Sequence, residues 1–296
     1  MNELKQIAQQ VESLVSGGDG KRPLQDLGFI SCARKVHLKH VPFYEPCLIL
    51  VLSGRKMLFQ DRRPIAIEAG CVATVPAPSS IDLRNEPDAV SKRYTALIIP
   101  FKVEHLERLM RSHNLLYEVK REGAGVLKFE ADETLHASIR HYLSTVGNPR
   151  LLSHRLMEIL LLLVSKNPTL LSYSLHRESW SQRVRAVLST DIAHAWDLPQ
   201  VCARLATTES TLRRNLKRED ASFRALLQEL RLSTALMQLL QTSAPIYSIA
   251  YDCGYQSVSR FTANFHKRFG VPPKQFRDSA SESERSLTGS GKSVPS

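Results

Sequence analysis

The chain has 296 residues, 43% of them hydrophobic, which is enough for two domains with apolar cores. Its formal charge of +11 and pI near 9.6 favour a polyanionic partner. The five cysteines (Cys32, Cys47, Cys71, Cys202 and Cys253) are odd in number and form no CxxC pair, which suits reduced thiols rather than a disulfide scaffold.

At the N-terminus, MNELKQIAQQVESLV has no basic segment followed by an apolar run, so it does not read as a secretion signal. It reads as a mildly amphipathic, loosely attached helix that ends at the flexible Ser16–Gly20. From Gly28 to Ile99 the pattern changes to short strands: Phe29–Val36, Cys47–Leu52, Lys56–Gln60, Pro64–Ile67, Cys71–Val75 and Tyr94–Ile99. Gly, Pro, Asp and Asn separate them, which predicts an all-β sandwich or barrel. The phrase LSGRKMLFQDRRPIAIEAGCVATVPAPSS resembles half of a cupin roll, with turns at Gly54, Asp61–Arg63 and Glu68–Gly70. Metal-dependent cupins carry an HxH pair and a Glu; this chain lacks them. His37 and His40 lie three apart, which in a strand places them on opposite faces. No metal, cofactor or catalytic constellation is expected.

Residues 101–175 turn helical. Val103–Arg111, Asp132–Ser144 and Leu151–Lys166 are the expected helices, with a break at Asn148-Pro149. Leu156–Val164 is too short to span a bilayer and is interrupted by Glu158. The helix containing it is apolar on more than one face, so part of it is free to meet a partner or to be buried in the monomer. Asn167–Arg177 reads as a linker.

Trp180–Ala195 opens a C-terminal domain. Leu198–Leu205 and Glu209–Lys217 form a first helix-turn-helix, with Thr208 as N-cap. Leu212 and Leu216 bury, leaving Ser210, Arg213, Arg214 and Lys217 outward. Ser222–Gln241 contains no Gly or Pro and reads as one connecting helix. Twenty helical residues span roughly 30 Å, near the ~34 Å that separates successive major-groove faces. In the next stretch Pro245 opens a short helix, Gly254 ends it, and a second helix restarts near Ser257. Val258, Phe261 and Phe265 line its buried side.

This last stretch resembles the second helix-turn-helix of the AraC/XylS family of bacterial transcription regulators. The shared positions are Ile246, Ile249, Ala250, Cys253, Gly254, Tyr255, Ser257, Ser259, Phe261, Phe265, Phe269, Gly270, Pro273, Phe276 and Arg277. One departure is Asp220, where the family often has Gly; Asp tolerates a left-handed turn. The resemblance implies a multi-domain fold: an N-terminal cupin-like β-barrel followed by helices, then an all-α domain with two helix-turn-helix motifs joined by a long helix. The expected boundaries are 1–166 for effector binding and dimerisation, 167–178 for the linker, 179–278 for DNA binding and 279–296 for a disordered tail.

It further implies a sequence-specific DNA-binding regulator, more an activator than a repressor, working in the cytoplasm on double-stranded DNA. Arg213, Arg214, Arg260 and Asn264 would reach base edges, with Ser210, Ser259 and Ala263 on the same surfaces. Lys217, Lys267, Arg218 and Arg268 would hold phosphates. RNA polymerase and a second copy of the chain are expected partners. A small-molecule effector would sit in a barrel lined by Ile49, Val51, Leu58, Val72 or Val75; Arg34, Lys35 and Lys39 would either pair with a carboxylate near its rim or be solvated strand residues. Some members of the family that govern virulence bind fatty acids, and others bind sugars or other small molecules. The alternatives are a cupin-type enzyme and a ligand-independent DNA binder.

Overall fold

The computed structural model describes residues 2–16, 27–61, 63–115, 125–175, 179–242 and 244–278. They form two units, one built on Met1–Leu175 and the other on His176–Arg277.

In the first unit nine strands are described: β1 Gly28–Cys32, β2 Val36–Phe43, β3 Cys47–Ser53, β4 Arg55–Gln60, β5 Arg63–Glu68, β6 Cys71–Val75, β7 Ser79–Glu86, β8 Tyr94–Pro100 and β9 Leu127–Glu130. They make two antiparallel sheets, ordered β1-β8-β3-β6-β9 and β2-β7-β4-β5. The run CLILVL of β3 is apolar at every position because both of its faces are covered. Leu48, Leu50 and Leu52 meet a layer of helices, while Ile49 and Val51 point the other way, toward the second sheet.

Four strands differ from expectation. The segment 29–36 breaks at a bend around Arg34, so β1 and β2 lie in different sheets. β7 and β9 were not expected, because polar residues alternate through both. In β2 the register shifts between Leu38 and Val41, and His40 takes a φ of 51°. This bulge leaves both His37 and His40 exposed.

The helical layer comprises α1 Asn2–Ser16, α2 Val103–Ser112, α3 Glu133–Ser144, α4 Pro149–Lys166 and a 3-10 helix, Pro168–Leu175. α1 is not loosely attached: Ile7 and Val11, one turn apart, are fully buried, and Glu3 pairs with Arg140 of α3 at 3.0 Å. Asn148-Pro149 starts α4 rather than merely breaking the chain. The Asn148 side chain accepts from Leu151 N, and Pro149 takes the first turn, where no N–H is needed.

The expected linker is also corrected. Residues 168–175 pack into the core through Leu170, Leu171 and Tyr173, and the Tyr173 hydroxyl lies 2.7 Å from Gly125 O and 3.1 Å from Thr74 O. Three serines nearby suggested a solvated strap, but the apolar residues between them find the sheet first. Residues 176–178 and the tail 279–296 lie outside the described residues.

The second unit contains α5 Trp180–Leu188, α6 Leu198–Arg204, α7 Glu209–Arg218, α8 Phe223–Gln241, α9 Ile246–Asp252 and α10 Val258–Phe269; residues 273–278 are also helical. α5 stops short of the expected Ala195. The Asp191 carboxylate accepts from Ala193 N and His194 N, and Trp196 Nε1 donates to Asp191 O, which favours a turn over further helix. The core of this unit is an aromatic column. Tyr255, Phe261, Phe265 and Phe269 stand at successive centroid distances of 5.3, 5.6 and 4.7 Å, and Phe276 joins Phe265 at 6.2 Å. Each fully buried ring contributes roughly 1.5–3 kcal/mol, so this column holds α10 firmly.

Candidate nucleic-acid interface

Two helix-turn-helix pairs flank α8. In the first, α6 leads into α7 through a turn in which Ala206 has a φ of 49°. Thr208 caps α7, accepting from Thr211 N, and Glu209 occupies the first turn, where negative charge is favoured. Leu212 and Leu216 are buried; Ser210, Arg213, Arg214, Lys217 and Arg218 are exposed. Positions 210, 213, 214 and 217 share one helical face. Arg213 pairs with Glu209 at 3.2 Å, and since both are exposed this pair costs little to open. Asp220, at the end of this motif, adopts a φ of 50°, so the turn survives without glycine.

In the second pair, α9 ends in a tight turn at Gly254, with a φ of 79°. Gly254 N donates to Tyr251 O and Tyr255 N reaches back to Ala250 O, which closes the helix end. Ser257 caps α10, accepting from Arg260 N. Ser259, Arg260, Ala263 and Lys267 are exposed and fall on adjoining rows of α10. Asn264 is half-buried against Tyr255, on the flank of that face. Arg268, expected to hold phosphate, instead pairs with Glu229 of α8 at 3.3 Å and is mostly covered. Glu229 also takes Arg185 of α5 at 3.4 Å, so this carboxylate joins three helices.

Two residues that build this surface, Gln256 and Glu219, were not singled out in the sequence. Gln256 is exposed just before α10, beside the cap. Glu219 receives the first amides of α5, Trp180 N at 2.8 Å and Ser181 N at 2.9 Å, together with the Ser181 hydroxyl. Burial works to raise the Glu219 pKa, but these hydrogen bonds hold it below the usual carboxylate range. Cys253 is a buried residue of the turn, and burial pushes its thiol up to about 12.

In the first unit, Arg34, Lys35 and Lys39 are all exposed, and Lys35 pairs with Glu86 at 3.0 Å. Ile49, Val51 and Leu58 are fully buried between the sheets. Val72 belongs to the core shared with the helices, not to the barrel interior. A residue missed in the sequence occupies that interior. Lys56 is 1% exposed; its ammonium donates to Asn85 Oδ1 at 2.8 Å and lies 3.4 Å from the Tyr94 hydroxyl. Burial brings its pKa down to about 8, an effect partly offset by the Cys32 and Cys47 thiols. Strand alternation puts Lys56 on the same face as Leu58, and that period was the available signal. A small cleft of about 150 Å³ lies farther along β4, lined by Phe59, Gln60, Ser79 and Ile81 among others. Among the described residues, no three His, Cys, Asp or Glu side chains converge as a metal site.

Comparison with known proteins agrees with this geometry. A family described as "Helix-turn-helix domain" matches residues 201–279, and one described as "ExsA N-terminal regulatory domain" matches residues 46–173. Both matched regions fit the resemblance to the AraC/XylS family read from the second helix-turn-helix. The HTH-type transcriptional activator CfaD of Escherichia coli is 36% identical over 97 residues, 33% of this chain and 37% of CfaD. The urease operon transcriptional activator of Escherichia coli is 35% identical over 100 residues, 34% of each chain. The chain thus spans about a third of the length of the curated relatives it matches. Its fold is that of ToxT from Vibrio cholerae. One ToxT crystal structure aligns with a TM-score of 0.61 at 15% identity over 86% of this chain and 98% of that one. A second, of unsaturated fatty acid bound wild-type ToxT, aligns at 0.60 and 15% identity over 90% and 97%.

Proposed function

We propose that this chain is a sequence-specific DNA-binding regulator of transcription, acting as an activator. The observation that carries the reading is the pairing of two capped second helices, each presenting exposed basic residues. They are Arg213, Arg214 and Lys217 on α7, and Arg260 and Lys267 on α10. Arginine can take guanine O6 and N7 bidentately, and lysine neutralises phosphates without reading sequence. Ser210, Ser259 and Ala263 are small enough to let the helix approach the groove floor. Asn264 reaches an adenine edge only from the flank it shares with Tyr255. The related activators CfaD and the urease operon activator support this assignment.

On this reading the protein is not an enzyme, works in the cytoplasm and engages RNA polymerase. No described helix is long and apolar enough to cross a membrane. Dimerisation would use α4, where Leu151 is exposed and Leu152, Met157, Leu161 and Leu162 are only partly covered. A small-molecule effector would act through the first unit. The fatty acid in the ToxT structure supports that role, and the Lys56 ammonium is a cation that an acidic effector could meet between the sheets.

The test is binding of the purified full chain to duplex DNA selected from a random pool. Replacing Arg213 or Arg260 by Ala should relax preference at one or two base pairs each. Equal affinity for selected and scrambled duplexes would overturn the reading.

A further inference from the structure

One side chain touches both helix-turn-helix pairs. Arg231 lies near the middle of α8. Its Nη2 donates to His194 O at 2.8 Å and its Nε to Ile192 O at 3.2 Å. Those carbonyls belong to the turn that delivers the chain into α6. That turn is itself fixed by the Asp191 contacts, by Trp196 Nε1 and by Asp197, which caps α6 through Gln200 N at 2.8 Å. The same guanidinium covers the turn between α9 and α10. A Cβ added at Gly254 would stand 2.7 Å from Arg231 Cζ and Nη2, and 2.9 Å from Nε. A planar, five-donor group is suited to such a seat, since it can hold two carbonyls with one edge and lie flat on a peptide with its face.

We propose that Arg231 is a positioning residue that sets the separation and angle of α7 and α10. On the same proposal, residue 254 is glycine to admit the Arg231 guanidinium as well as to take a positive φ. The significance for DNA rests on the regulator reading above, but the geometric claim does not. Two readers joined on one rigid frame gain an effective concentration for the second contact, and that gain vanishes when the frame no longer holds the right span. Arg231 therefore acts on the bipartite advantage and not on either half-site contact.

The experiment has two arms, both on the full chain. The first needs no DNA. Spin labels carried by unnatural amino acids at the exposed positions Arg218 and His266 report the distance between α7 and α10. The parent should give one narrow distribution and Arg231→Ala a broad one. Arg231→Lys, which keeps the stem and one donor, should fall between them and stands in if the alanine variant does not fold. Gly254→Asn isolates the second claim, because Asn tolerates a positive φ but collides with the guanidinium. Alone it should broaden the distribution; combined with Arg231→Ala it should add nothing further. An unchanged distribution in both Arg231 variants overturns the positioning role. Equal broadening by Gly254→Asn with and without Arg231 overturns the seat at Gly254.

The second arm compares a two-half duplex, the same duplex with its halves moved apart, and a single half-site. The parent should favour the natural spacing by about 100-fold, and Arg231→Ala should lose most of that preference while keeping half-site affinity. Equal loss on all three duplexes would mean a purely structural role and contradict the proposal. Failure of the parent to bind any duplex, with the distance results as expected, would sink the regulator reading and leave the clamp intact.

Discussion

Lys56→Met removes the buried ammonium from the barrel while keeping the length of the side chain. The folded-state pKa of Lys56 is about 8 against an ordinary 10.5. At about 1.36 kcal/mol per unit, the charge costs the first unit about 3 kcal/mol at pH 7. The variant escapes that cost but leaves the Asn85 amide oxygen without its donor, a loss of about 1–3 kcal/mol. The absolute change at pH 7 is therefore small, and the pH dependence is the sharper quantity. Because the folded pKa is depressed, the unfolded chain binds the extra proton between pH 8 and 10.5. Parent stability on this account rises with pH through that window. By pH 9.5 about 2 of the 3 kcal/mol should be recovered in the parent, while the variant has nothing to recover. Cys32 and Cys47, pushed up to about 12 by burial, pull the other way above pH 9 but are present in both proteins. Calorimetry of the first-unit transition, read as the difference between the two proteins at pH 7, 8.5 and 9.5, checks this. Parallel curves across that range would show that Lys56 is not held as described.

Other perturbations probe other joints. Arg260→Ala should cost about 1–3 kcal/mol on a selected duplex and relax preference there, whereas Lys267→Ala should weaken all duplexes alike and lower the salt slope by about one, as read by titration at several salt concentrations. Gly254→Val faces both a φ of 79° and the Arg231 guanidinium, and should abolish DNA binding while leaving the first-unit melting transition in place. A fragment ending at Lys166 should melt far below one ending at Leu175, because it lacks Leu170, Leu171 and the Tyr173 hydroxyl contacts; equal melting would return residues 168–175 to the linker.

The second helix-turn-helix was legible because its physics is local. A Pro opens the helix, a Gly closes it, a Ser caps the next, and phenylalanines recur every four residues. The turn at Asp220 was legible for the same reason, since a short polar side chain bears the left-handed conformation it adopts. What escaped was non-local. Arg268 looked like a phosphate contact until α8 placed Glu229 beside it, and Arg231 was not singled out because the carbonyls it holds lie 37 and 39 residues away in sequence. In the barrel, β7 alternates Ile81, Leu83 and Asn85 with polar residues, and its pattern means strand only once β2 and β4 flank it. Lys56 was passed over because a lysine in a strand is ordinarily solvated; only the closing of the second sheet over it makes it an interior residue.

Selection of duplex DNA from a random pool by the purified full chain, followed by a titration of the enriched sequence against a scrambled one, tests the central claim most directly. The account predicts an enriched site with two recognisable halves about one helical turn apart, bound at least about a thousandfold more tightly than the scrambled duplex. No enrichment, or equal and purely salt-dependent binding to both duplexes, would contradict it.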